Sequence, residues 1–392
     1  MKKLLGLLIF YAFFSQILLA EVPTDANLTG AKYWLKKLGA ADVRYGYYEA
    51  KTKIIVVNKS KKTLKSFEYA GGALEEIFSQ SVITGKNGDK FKEGDLKTPV
   101  GVYDVTDKFA PPDPFYGPLA MSLSYPNAHD KAAQKTGGGI WIHGLPMKGK
   151  REDEVKTRGC VAFNNEALVK FGQLIGSEGV VIISESQKVD ASKDDVARVL
   201  AHLHEWLQAW RDNETKIYLG FYVDEFVKID GKNALTRAKF AENKKRIFAL
   251  NEKKSIKASN FSVTPYPNIK GQNLFRVVFD EDYAAPSHEF KGQKELYVRL
   301  DKDKFKILTE EEMQEKKEIV KNQIEEILKA RGEFFAELDR QVPKVAGTDV
   351  FDFAAVKEAN LKALYAKFYS YDYSIRKLLP NVYEAFGVKF NV

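Results

Sequence analysis

Two side chains in this sequence have the chemistry of a nucleophile and its base. Cys160 is the single cysteine of 392 residues. It closes the short polar stretch Thr157-Arg158-Gly159-Cys160, and His143 precedes it at the end of the strand-like run Gly-Gly-Gly-Ile-Trp-Ile-His. A thiol with an ordinary pKa near ~8.5 is mostly protonated at neutral pH, so attack on a carbonyl needs a neighbouring imidazole to take its proton. Gly159 lets the backbone turn sharply, so that the amides of Gly159 and Cys160 can converge on the oxyanion of a tetrahedral intermediate. The carbonyl of Gly144 is placed to accept from the second imidazole nitrogen and fix the tautomer. Thr157 and Arg158 complete the turn, and Trp141 and Asn164 flank it as candidates for substrate binding. The bland alternative, an inert buried thiol and an unrelated core histidine, leaves the glycine spacing unexplained.

The elements that must hold this pair are mostly strands. KIIVVNKSKKTLKSFEY predicts a hairpin, and QSVITG, TPVGVYDV, GGGIWIHG and GVVIISES continue the pattern, with a helix over 165–175 before the last. This outlines a catalytic unit over 47–186, ending near the polar stretch 187–194. Ahead of it, 31–38 is a short amphipathic helix, and 21–46 reads as a packing or dimerisation segment that leaves room for a homodimer. Behind it, 196–210 predicts an amphipathic helix and 236–249 a basic one. Strands are predicted over 259–264, 273–279, 295–300 and 305–308. Thr309 with Glu312 has the form of a capping box that opens a long charged helix to about Arg340, with Met313, Val320, Ile324, Ile327 and Phe335 as its apolar stripe. A Tyr- and Phe-rich helical tail completes 311–392.

The chain is long enough for about two or three folded units, and its 44% hydrophobic and 29% charged residues describe globular protein. The net charge of +8 comes from basic residues interleaved with acidic ones, a solvated surface with a mild pull on anionic polymers. No nucleic-acid module accompanies it. Met1-Lys2-Lys3, an apolar run to Leu19 and Ala20 before Glu21 form a secretory signal over 1–20. The run is too short to span a bilayer, so no membrane span is expected after cleavage. In an oxidising compartment an unpaired thiol is either inert or kept for its chemistry.

Ile142-His143-Gly144, Thr157-Arg158-Gly159-Cys160 and Asn164, with Ile83-Thr84-Gly85 and Lys97-Thr98-Pro99-Val100-Gly101-Val102-Tyr103 upstream, resemble the L,D-transpeptidase catalytic domain over roughly 47–186. The resemblance implies Cys160 as nucleophile, His143 as base, no cofactor, and peptidoglycan stem peptides as substrate, attacked between the L-centre of the third residue and D-Ala. Two positions depart from the pattern. Ala162 stands where many transpeptidases carry Arg, and Arg158 where many relatives have His. WLQAWRDNETKIYLGFYVDEFVKIDG and the strands that follow resemble the NTF2-like fold over 194–310, and this half is expected to fold as a separable unit. Such domains hold small ligands or bind protein partners, and both stay open. The fold class is therefore a mostly β catalytic domain, an α+β NTF2-like domain and C-terminal helices. That order is similar to the cell-shape-determining L,D-carboxypeptidases of helical and curved Gram-negative bacteria. The resemblance implies periplasmic trimming of tetrapeptides to tripeptides. Transpeptidation to 3–3 crosslinks or protein attachment, and a wall- or ligand-binding scaffold, are the alternatives.

The other histidines carry no metal reading. His202 and His204 lie two apart on a helix and diverge, and His129 and His288 read as structural or surface residues. Trp206, Trp210, Tyr222 and Phe226 are expected in a core rather than a ligand cage. Lys148, Lys150 and Arg151 form a basic loop that is either a guide for carboxylates or a solvated surface.

Overall fold

The computed structural model describes residues 25–148, 156–186, 189–231, 233–302, 304–314, 316–356 and 359–386. The expected signal over 1–20, Lys150, Arg151, Gln187 and Lys188 lie outside the described residues. In chain order the elements are α1 (Asp25–Leu28), α2 (Ala31–Leu38), β1 (Tyr47–Tyr48), β2 (Thr52–Asn58), β3 (Thr63–Ala70), β4 (Ala73–Ser81), β5 (Gly101–Phe109), β6 (Ala120–Leu123), α3 (Ala128–Ala132), β7 (Trp141–His143), β8 (Val161–Ala162), α4 (Asn165–Ile175) and β9 (Val180–Ser184). There follow α5 (Lys193–Arg211), α6 (Thr215–Gly220), β10 (Tyr222–Asp230), β11 (Asn233–Thr236), α7 (Arg237–Ala249), β12 (Ser255–Pro265), β13 (Leu274–Ala285), β14 (His288–Asp301), β15 (Lys304–Gln314), α8 (Lys316–Gln341) and α9 (Ala359–Phe386).

The catalytic sheet has the order β4-β3-β2-β9-β5-β6-β7-β8. Along its strands successive side chains face opposite sides, and both faces are covered, Ile55, Tyr103 and Ile183 on one and Ile54, Val102 and Ile182 on the other. Ile140, Ile142, Val161 and Phe163 point into a core with Val57, Tyr103, Phe171 and Ile183, which sends Trp141, His143, Cys160 and Ala162 toward the opposite face. The second sheet, β1-β12-β13-β14-β15-β10-β11, curves around α5, α6 and α7 as an NTF2-like cone. Trp206, Trp210, Tyr222 and Phe226 are all buried inside it, as residues of a core. α2 joins that core. Trp34 and Leu38 are buried in it, Trp34 Nε1 donates to the Leu28 carbonyl at 2.7 Å, and its ring stacks on His204. The N-terminal segment thus packs within its own chain.

The two sheets share material. Tyr48, Ile54, Tyr69, Val102 and Ile182 form one apolar cluster with Tyr266, Leu274 and Tyr297. Arg276 reaches across to Asp104 at 2.8 Å while also pairing with Glu295. His129 stacks on Tyr297 with ring centroids 5.2 Å apart and meets Tyr266 edge-on. A unit cut at 194–310 would expose this cluster and lose β1, α2 and the end of β15.

The capping box at Thr309 is also corrected. Residues 309–312 continue β15, paired with β14 through Tyr297↔Thr309 and Lys294↔Glu312, and the helix begins at Lys316. The reason is tertiary: Glu312 is drawn to Lys294 and Lys228 at 2.7 Å each, which outweighs the local cap preference. Met313 therefore belongs to the strand and not to the helical stripe. Among the described residues no helix is long and apolar enough to cross a membrane.

Candidate active site

β7 and β8 run parallel with Ile142 opposite Val161 and His143 opposite Ala162. Cys160 lies just before β8, two residues from Ala162, so the alternation of the strand turns it to the face of His143. Ala162 is locked from its other side by a two-way backbone bridge to Ile83, at 2.9 and 2.8 Å. Thr157 N–H donates to the Thr84 carbonyl at 2.9 Å. The TG segment noted in the sequence therefore buttresses the thiol turn.

Inside the turn, Thr157 Oγ1 donates to the Cys160 carbonyl at 2.6 Å and accepts from Gly159 N–H at 3.1 Å. Thr157 thus ties the turn together. The Gly159 amide, expected to face an oxyanion, is engaged within the turn, and the residue's contribution is conformational. Its φ is +131° and a Cβ there would meet the Lys97 carbonyl at 2.9 Å, so a side chain is excluded twice over. Cys160 is half-buried, with Sγ 3.5 Å from the Gly139 carbonyl. Arg158 is exposed beside it.

His143 is 2% exposed, and its Nδ1 lies 2.7 Å from the Gly144 carbonyl. A carbonyl oxygen can only accept, so Nδ1 carries a proton, and in the neutral ring Nε2 is then the nitrogen with the lone pair. Tyr116, in the short 3-10 turn Pro114–Tyr116, packs edge-on against both His143 and Trp141, at 5.0 and 5.1 Å. Phe109 also meets Trp141 edge-on, with ring centroids 5.2 Å apart. Trp141 is thus half-buried in an aromatic wall beside the imidazole.

The Asn164 side chain caps α4, accepting from Ala167 N–H at 2.9 Å. Its neighbour reaches the site instead: Asn165 Oδ1 accepts from Leu145 N–H at 2.8 Å. The Asn-Asn pair ahead of a helix was the signal available in the sequence, since one cap leaves the second side chain unaccounted for. Tyr116 carried no comparable signal. Of the basic loop, Lys148 is exposed. His202 bonds Glu205 at 2.9 Å and His288 packs near Tyr283. Among the described residues no group of three or more His, Cys, Asp or Glu is arranged to hold a metal.

Family models match three successive stretches: the L,D-transpeptidase catalytic domain at residues 52–183, the Cds6 C-terminal NTF2-like domain at 198–311, and a CmeU-like model at 317–391. Among solved structures, the helical cell shape determining protein Pgp2 of Campylobacter jejuni is 43% identical with a TM-score of 0.68, covering 72% of this chain and 99% of that one. A point-mutant form of it gives 42% and 0.70, covering 74% and 100%. Bd1075 of Bdellovibrio bacteriovorus is 25% identical with a TM-score of 0.55, covering 70% and 98%. YafK of Escherichia coli, named for an inferred L,D-transpeptidase activity, is 28% identical over 123 residues, 31% of this chain and 46% of that protein. The chain spans about half the length of the curated relatives it matches.

Proposed function

We propose a reaction from the premise that this chain belongs to the L,D-transpeptidase family, in the form with a C-terminal NTF2-like domain: it cuts peptidoglycan stem peptides before a terminal D-Ala and mainly trims tetrapeptides to tripeptides. The observation that supports the reading is the 2.7 Å bond from His143 Nδ1 to the Gly144 carbonyl, which makes Nε2 the nitrogen that would act on Cys160.

In this reading His143 Nε2 takes the Sγ proton, and the sulfur attacks the carbonyl carbon of the third residue. The amide of Cys160 faces the developing oxyanion. The imidazolium then protonates the departing amine, releasing D-Ala and leaving a thioester. His143 next deprotonates a water, whose attack frees the tripeptide and returns the proton to sulfur. Trp141 and Tyr116 form the wall against which the stem peptide lies, and Arg158 reaches toward its carboxylates. Water as acceptor is favoured at position 162, where buried Ala162 stands opposite His143 and supplies no cation to orient an acceptor peptide.

The NTF2-like domain acts in wall or partner docking. The reading includes export to the periplasm through residues 1–20 and, by likeness to Pgp2, a part in setting cell shape. The test is to incubate the purified mature chain with a defined disaccharide tetrapeptide and weigh the products. Tripeptide plus free D-Ala is expected. Dimers linked between third residues, without tripeptide, would make it a transpeptidase, and no product with intact thiol would favour a scaffold.

A further inference from the structure

We propose that Asn165 is a positioning residue for His143, acting through the one peptide unit that joins Gly144 to Leu145. The proposal rests on the cysteine–histidine reading above and identifies what holds the imidazole in place. The Gly144 carbonyl that bonds His143 Nδ1 at 2.7 Å and the Leu145 N–H that donates to Asn165 Oδ1 at 2.8 Å belong to the same rigid plane, on opposite edges. Turning that plane breaks both bonds together. Asn165 therefore fixes the direction of the carbonyl, and the carbonyl fixes the ring and its tautomer.

Gly144 makes this clamp necessary as well as possible. A Cβ at Gly144 would overlap Asn165 Oδ1 and approach Gly117 Cα at 3.1 Å, so only glycine admits the amide so close. Glycine also leaves the peptide plane freest to rotate. The Gly144 N–H is held by the Tyr116 carbonyl at 2.9 Å, but the plane that follows Gly144 is held by Asn165. Donation from Leu145 N–H also polarises the peptide and makes its carbonyl a stronger acceptor, which supports the positive imidazole formed when Cys160 gives up its proton.

Asn165 is free for this task because Asn164 already caps the helix. As the first residue of α4 it is a poorer helix former than many alternatives, and the helix makes no use of its side chain.

The test compares Asn165→Leu, which keeps bulk without an acceptor, with Asn165→Asp, which keeps an acceptor oxygen, in the full mature chain. Alkylation of Cys160 by iodoacetamide is followed at pH 7 and at pH 10, where an ordinary thiol ionises unaided, alongside kcat and KM on the tetrapeptide. Asn165→Leu is expected to alkylate about tenfold more slowly at pH 7 and within about twofold of the parent at pH 10, with kcat down at least about tenfold and KM unchanged. Asn165→Asp is expected to recover to within about threefold in each measure. Asn165→Ala, which adds no bulk beside Gly144, carries the same expectation should the Leu variant fail to fold. Equal alkylation of parent and variant at pH 7, equal slowing at both pH values, or an Asp variant as slow as the Leu variant would each overturn the proposal. A parent that alkylates as described but releases no D-Ala would instead overturn the substrate reading and leave the positioning role standing.

Discussion

Around Cys160 and His143 stand neutral groups: the Thr157 hydroxyl, the Asn165 amide and the carbonyls of Gly139 and Gly144. Inside the NTF2-like cone the opposite arrangement holds. Lys294, fully buried, lies 3.2 Å from Glu281 and 2.7 Å from Glu312 and 4.2 Å from the Trp210 ring centroid. Burial opposes its charge, but the carboxylates of Glu281, Glu312 and Glu310 hold its pKa well above the usual lysine range. The contrast follows from what each region must do. In the proposed reaction a proton moves between sulfur and nitrogen, which needs a fixed frame that does not itself titrate. A cone filled by aromatic rings can hold full charges, provided each finds its opposite.

Removing the reacting groups separates the two regions most sharply. Cys160→Ala and His143→Ala should each lower tripeptide formation by at least about a thousandfold, measured by product mass, with urea unfolding midpoints close to the parent. A carbapenem-type agent should add its mass at Cys160 in the parent and not in Cys160→Ala. A folded Cys160→Ala protein with undiminished turnover would end the distinction between a chemical half and a charged half.

Next comes the junction. Arg276 is buried, and despite that burial Asp104 and Glu295 raise its pKa well above the usual range. Arg276→Met leaves Glu295 without its cation and should cost about 3–4 kcal/mol of stability. Urea unfolding followed by tryptophan fluorescence measures the loss, and a change under about 1 kcal/mol would mean that the halves do not depend on this bridge.

A smaller effect is tied to pH. Burial first, then the charges of Lys135 and Lys270, push the His129 pKa down to about 4 from an unfolded value near 6.5. The folded form binds fewer protons between those values, so stability is full above about pH 6.5 and is lost as pH falls toward 4, by at most about 3 kcal/mol. His129→Phe should flatten that part of the stability curve. A curve unchanged by the substitution would assign the acid loss to other groups.

The smallest expected change is at Lys244, whose pKa burial, and then Lys294, lower to about 8. Its charged form burdens the fold below pH 8, and the burden disappears as pH rises toward the unfolded value near 10.4. Lys244→Met should therefore stabilise the protein at pH 7 by about 1–2 kcal/mol, after allowance for solvent screening, and by almost nothing at pH 10.5. Stabilisation of equal size at both pH values would point to packing instead of charge.

The catalytic half was legible because its signals are local. Ile140 and Ile142 alternate with Trp141 and His143, Gly159 marks a turn that admits no side chain, and the helix over 165–175 has a cap and an apolar face of its own. The junction and the cone were harder to read because their logic is distant. At Thr309 a short-range capping pattern lost to partners on β14 and β10. At Asn164 and Asn165 the sequence offered two amides for one cap, and only the placement of Leu145 decides which one reaches the site. Arg276 resembles any strand arginine until Asp104 lies opposite it.

The pairing of β1 with β12 sets the order in which the chain can be completed. Tyr47 and Tyr48 find their partners at Val263 and Ser262, and the Tyr48 hydroxyl meets Thr264 across a separation of 216 residues. The whole catalytic sheet lies between, as an insertion held at both ends by its neighbour. A chain delivered from its N-terminus therefore emerges with its first strand unmatched, and that strand stays an open edge until the sheet that will receive it has followed. Nascent protein halted before Ser262 should therefore hold α2 against α5 while Tyr47 and Tyr48 still lack their strand partner.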